Sequence, residues 1–185
     1  QKKDSRLLLV DLGHGKNRLG ASIAAQVFCK MGADAPDVES AKELRSFFET
    51  IQKLNAEGKI LAYHDKSDGG LYTTALEMAF AGHTGVTLDI SKLAGSELEI
   101  LFNEELGAVL QVATENVNAV LSAFENAGLK ECVSDIGTLN DSYEYRIGNY
   151  AENISDLRAI WSDTTRRISA LRDNPECAES EYKLK

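Results

Sequence analysis

The chain has 185 residues and a formal net charge of −9, from 29 acidic and 20 basic side chains. A nucleic-acid backbone would be repelled unless those cations formed one stripe; they are scattered, with "TRR" at 165–167 the nearest approach to a cluster, so no nucleic-acid partner is expected. At 43% hydrophobic and 26% charged the composition is that of a soluble globular domain, and three distant cysteines without a CxxC suit neither a disulfide framework nor a zinc site.

In chain order, "RLLLVDLG" (6–13) is a β-rich apolar run closed by glycine and reads as a buried strand. The loop "GHGKNRLG" leads to "ASIAAQVFCKMG", predicted as a helix ending at Gly32. Ala41, Leu44, Phe47, Phe48, Ile51 and Leu54 recur at three- and four-residue steps, the pattern of an amphipathic helix stopped near Gly58. A strand over 59–63 and a helix from about Gly70 to Ala81 follow, then a strand over 84–90. Ser96 with Glu99 has capping-box spacing and opens a short helix. "GAVLQVA" (107–113) is a strand, and Val117, Val120, Leu121 and Phe124 give one helical face. "CVSDIGTL" and "YEYRIGN" are expected to pair as a hairpin around Asn140–Asp141. "DLRAIWSDTTRRISALR" is a helix, and "DNPECAESEYKLK" a polar tail.

Strands and helices mix and the last strands form a hairpin, so the expected fold is α+β, with helices over a mixed sheet. No run approaches 18 apolar residues, and "QKKDSR" leads directly towards a strand, so neither a membrane span nor a signal peptide is expected. Reduced thiols in a cytoplasmic protein are the simplest reading. The chain begins with Gln rather than Met, as a piece of a longer polypeptide would.

The segment "HDKSDGGL" (64–71) joins a strand to a helix, where free amides and the positive helix end lie beside the loop. Asp65 and Asp68 are hard oxygen donors suited to Mg²⁺ bridging phosphate oxygens, Ser67 offers a hydroxyl, and two glycines would let a ligand approach the backbone. The plainer alternative is that Ser67 or Asp68 caps the helix and the glycines make the turn. The loop 13–22, with three glycines, Lys16 and Arg18 before a helix, reads equally as an anion-binding turn or a solvated one; it is not a Walker motif. Adjacent Glu104 and Glu105 make a poor acid–base couple, and a solvated face or a cap suits them better. His64 reads as a hydrogen-bonded core histidine at a strand end, His14 as exposed and His83 as a turn residue. No complete active site is legible.

Four stretches carry a resemblance: "LLLVDLGHGKNRLGASIAAQVF" (7–28), "ILAYHDKSDGGLYTTALEMAFAGHTG" (60–85), "LFNEELGAVLQV" (101–112) and "LRDNPECAESE" (171–181). Together they span nearly the whole chain. They resemble the large single-chain phosphoribosylformylglycinamidine synthases, in particular the C-terminal lobe of the second of two halves similar to aminoimidazole ribonucleotide synthetase. The resemblance implies an α/β/α sandwich partly similar to a ferredoxin-like arrangement, with a lobe over 1–171 and a linker over 172–185 leading toward a glutaminase domain. The implied whole enzyme is a ligase of purine biosynthesis. It uses ATP to phosphorylate the amide oxygen of formylglycinamide ribonucleotide, and ammonia from glutamine then displaces the phosphate. The implied cofactors are ATP or ADP and Mg²⁺, and the implied partners are the preceding N-terminal lobe and the glutaminase domain. Carried onto this sequence, Asp65 would be a Mg²⁺ ligand and Ser67 a nucleotide contact at an auxiliary ADP site, with no catalytic residue in this lobe. Lys66 stands where the family pattern has Arg, a position facing no assigned ligand. Two other readings are a free-standing nucleotide-binding or scaffold module, and a relative of selenophosphate synthetase or of hydrogenase-maturation proteins. The RDNPECA run speaks against the last.

Overall fold

The run RLLLV forms the middle of the molecule. In the computed structural model, which describes residues 4–183, it lies in strand β1 (Ser5–Asp11), paired antiparallel with β4 (Gly107–Ala113) on one side and β5 (Val133–Asn140) on the other. Both faces of β1 are covered, so its sequence is continuously apolar rather than alternating. Leu7 and Leu9 face a core built by α3 (Gly70–Gly82), α4 (Glu97–Phe102) and the start of α6 (Ile154–Arg172). Leu8 and Val10 face a second core, built by α2 (Ala41–Ala56) and α5 (Val117–Asn126). Each buried leucine contributes about 1.5–3 kcal/mol relative to exposure.

Among the described residues the sheet has seven strands, in the order β2 (Ile60–Asp65), β4, β1, β5, β3 (Gly85–Leu88), β6 (Glu144–Ile147) and β7 (Tyr150–Asn153). Every pairing is antiparallel except β3 with β6. The architecture is therefore α+β, a sandwich of helices on both faces of a mixed sheet. The capping box forms, with Ser96 and Glu99 each bonded to the other's backbone.

Four local expectations are corrected. The helix expected over "ASIAAQVFCKMG" is only α1 (Ile23–Val27). No residue of it is buried; Cys29 turns left-handed, and the chain closes on itself through Ala21 N–H to Met31 O and Gly20 N–H to Asp34 O, both 2.8 Å. The hairpin expected around Asn140–Asp141 does not form, because β3 lies between β5 and β6 and bonds to both. The Asn140 side chain instead ties the turn to β3, donating to Thr87 Oγ1 at 3.0 Å. The hairpin that does form joins β6 to β7, a strand not foreseen. Within the polar tail, Asn174 caps a helix α7 (Pro175–Tyr182), which packs on α6. Residues 184–185 of the expected linker lie outside the described residues.

Candidate functional site at the end of the edge strand

Among the described residues, strand β2 stands at the sheet edge and pairs only with β4, antiparallel. Tyr63 is opposite Leu110 and Asp65 opposite Ala108, both in the α2–α5 core, so these side chains emerge on that face. The ladder extends one residue further, with Lys66 N–H donating to Gly107 O at 2.9 Å, and parity turns the Lys66 side chain to the opposite face. There it is buried. Its Nζ donates to Asn103 Oδ1 at 2.7 Å and meets Asp11 Oδ1 at 3.2 Å. Burial pulls the Lys66 pKa below its ordinary value, opposed by the charge of Asp11. On either side of this inward lysine, Asp65 and Ser67 are both exposed.

The capping alternative fails on geometry. The N-cap of α3 is Gly69, and among the described residues no side chain makes a capping bond to the helix. The turn is held by backbone, Gly70 N–H to Ser67 O at 2.8 Å, and by Glu104, whose Oε1 accepts Gly69 N–H at 2.9 Å and also Ile23 N–H at 2.9 Å. Glu104 thereby joins the starts of α3 and α1. Gly69 and Gly70 lie in the left-handed region at φ 82° and 65°. A Cβ on Gly70 would stand 2.6 Å from Asn103 O and 2.7 Å from Leu101 O. The glycines therefore serve the packing of α3 against the chain leaving α4 rather than giving a ligand room.

Asp65 accepts a hydrogen bond at Oδ1 from the Tyr63 hydroxyl, and among the described residues nothing engages its Oδ2. Partial burial, then the bond to Asp65, pushes the Tyr63 phenol well above its ordinary pKa. One carboxylate supplies at most two of the six oxygens an octahedral Mg²⁺ takes. Among the described residues no cluster of three or more His, Cys, Asp or Glu is arranged for a metal. The donor set thus fits Mg²⁺ by chemistry and exposure, as a contributor that needs ligands from elsewhere.

The other sequence candidates resolve as structure. Glu105, expected on a solvated face or as a cap, is fully buried and accepts from Arg18 Nε at 2.7 Å, Arg18 Nη2 at 2.8 Å and the Arg18 backbone at 3.0 Å. These bonds raise the guanidinium's pKa further above its ordinary value. Arg18 and Lys16 also meet Glu39, at 2.9 and 2.5 Å, so both cations of the 13–22 loop are already matched by carboxylates. His14 is exposed beside Glu43. His64 sits 2.8 Å from Glu77 Oε2, and Trp161 Nε1 donates to the other oxygen of Glu77 at 2.9 Å. His83 ends α3 in the left-handed conformation. Sequence reasoning missed Lys66 and Glu105 as buried ions, because their partners stand 55 and 87 residues away.

The family model described as "AIR synthase related protein, C-terminal domain" matches residues 2–148. Among solved structures, PurLQS from Thermotoga maritima superposes with a TM-score of 0.65 at 13% identity, over 83% of this chain and 26% of that one. T. maritima PurL complexed with FGAR gives 0.65 at 12% identity, over 85% and 28%; the same protein has been solved with ATP and with ADP. E. coli HypE, a hydrogenase maturation protein, gives 0.57 at 19% identity, over 83% and 50%. This chain therefore spans about a quarter of the PurL chains it matches, and identities this low establish a shared fold.

Proposed function

The chain belongs to the AIR synthase related C-terminal domain family, and from that premise we propose that it is one lobe of a larger ATP-dependent synthase of the phosphoribosylformylglycinamidine type. In that reading it is the C-terminal lobe of the second synthetase-like half, over 1–171, and 172–185 leads toward a glutaminase domain. The lobe lends a carboxylate, Asp65, and a hydroxyl, Ser67, to an auxiliary site for ADP and Mg²⁺ closed by the preceding N-terminal lobe. A bound Mg²⁺ would bridge and neutralise phosphate oxygens. The part of this chain is to present one hard oxygen ligand and one hydrogen-bonding hydroxyl from a fixed corner. Formylglycinamide ribonucleotide and glutamine are substrates of the whole cytoplasmic enzyme, and the lobe alone performs no synthesis.

The observation that carries the reading is the outward pose of Asp65 and Ser67 around a buried Lys66, at a helix start where neither serves as a cap. Calorimetric titration of ADP into this chain is expected to show weak or absent binding even with Mg²⁺. When the remaining lobes are supplied, Mg²⁺-dependent ADP retention is expected to appear and to be abolished by Asp65→Asn. Tight magnesium-dependent binding by this chain alone, or retention indifferent to Asp65→Asn, would refute it.

A further inference from the structure

Asp65 does not stand at a flat surface. It forms one end of a groove of about 790 Å³ between α2 and the edge strand, within the roughly 300–1,000 Å³ of small-molecule sites. Two aromatic side chains line it and are too open for a folded core: Phe48 on α2 is 60% exposed and Tyr63 on β2 is 40% exposed. Ile60 and Ile51 supply apolar floor. Because the chain turns back after Ala56, β2 runs antiparallel to α2. Arg45 therefore lies toward the Asp65 end of the groove and Gln52 and Asn55 toward the other. The heads of these three side chains are exposed, and among the described residues none has a hydrogen-bond partner.

We infer that this groove seats the base of a purine nucleotide whose phosphates lie at Asp65 and Ser67. The assignment rests on the nucleotide reading proposed above and extends it to residues that reading does not use. Phe48 and Tyr63 offer π faces on which a heteroaromatic ring stacks. Gln52 and Asn55 each present an amide donor and an acceptor, the complement of a purine edge. Arg45, nearer the carboxylate, is placed for the ribose and phosphate. A peptide strand added to the free edge of β2 would use the backbone of the strand rather than these amide heads. The aromatic walls and the end-to-end continuity with Asp65 favour the nucleotide.

The test is an amide-shift titration of the isotope-labelled chain, in which millimolar affinities remain readable. Its probes are ADP, adenosine and inorganic pyrophosphate, each with Mg²⁺. ADP is expected to move amides at 65–69 together with those of Phe48, Gln52 and Asn55; adenosine moves the α2 set alone and pyrophosphate the 65–69 set alone. Phe48→Ala, a change at an exposed position, should weaken the ADP and adenosine responses about tenfold and leave the pyrophosphate response unchanged. If ADP moves 65–69 while α2 stays silent, the base lies elsewhere and this inference fails, with the proposed function intact. If adenosine moves α2 but pyrophosphate never moves 65–69, the base assignment stands, and the phosphate end needs the other lobes, as the proposed function expects of this chain alone. If no probe moves either set, this inference fails, and the proposed function is decided by Asp65→Asn retention with the remaining lobes supplied. Ligand-free, concentration-dependent broadening of the same α2 and β2 amides would give the groove to a second copy of the chain and overturn the assignment.

Discussion

At the scale of single residues, most charges that sequence reading leaves ambiguous are spent on structure. Glu105 is fully buried, and truncating it removes three hydrogen bonds from Arg18, which keeps Glu39 and the Asp37 carbonyl. Glu105→Ala is therefore expected to lower stability by about 1.5–3 kcal/mol in chemical denaturation. Replacing both partners with apolar side chains, as in Arg18→Met with Glu105→Leu, should recover much of that loss. A double variant as unstable as the single one would show that the pair is not the cause. Cys132 is buried, and burial pushes its thiol from 9.0 up to about 11. The folded chain then holds a proton that the unfolded chain releases, so this contribution to stability is complete below about pH 9 and is lost as pH rises through about 11. Cys132→Ala should flatten that part of the stability–pH curve relative to the unmutated chain. In a thiol-reagent assay at pH 8, the exposed Cys29 and Cys177 should react rapidly and Cys132 only after denaturation.

At the scale of elements, the start of α3 is where local geometry and site coincide. Gly70→Ala must both sustain a left-handed backbone and push a methyl group against two carbonyl oxygens. It is expected to destabilise by about 2 kcal/mol or more and to broaden the amides of 65–70; a variant with unchanged midpoint would sink this account of the turn. Elements of this kind were legible wherever the signal is local. The periodic face of α2, the capping box at Ser96 and the continuous run of β1 needed no partner to be recognised. What escaped depends on remote contacts. The α1 segment is apolar enough for a longer helix but has no core to lie on. The strands β5 and β6 look like hairpin arms until β3, more than forty residues earlier in the chain, takes the place between them. For the same reason Asp65 and Ser67 were readable only as types and spacing, whereas their outward pose depends on Lys66 finding Asp11 and Asn103.

At the scale of the whole molecule, an acidic balance coexists with apolar side chains left in the open. Phe28, Met31, Ile160 and Leu171 are 65%, 83%, 75% and 90% exposed. At neutral pH the charge of −9 keeps copies apart. Near the sequence isoelectric point of 4.9 that repulsion vanishes. Light scattering is expected to rise sharply between pH 5.5 and 4.5 and to fall again under stronger acid, and a flat profile would show that these side chains are not adhesive. Among the described residues no helix is long and apolar enough to cross a membrane.

The placement of β3 bears on how the molecule comes apart. Among the described residues, Gly85–Leu88 is the sheet's one seam between its larger portion and β6–β7, and Gly137 lies so close to this strand that a Cβ there would be 2.1 Å from Thr87 O. Hydrogen–deuterium exchange should accordingly resolve three tiers. Amides of β7, whose residues are all exposed, would open first, those of β6 and α6 at the higher cost of uncovering Tyr145, Ile147 and Ile154, and those of β1 and β4 only on global unfolding. Gly137→Ala would unfasten the first two tiers and spare the third, turning a short strand into the clasp that decides whether β6 and β7 travel with the rest.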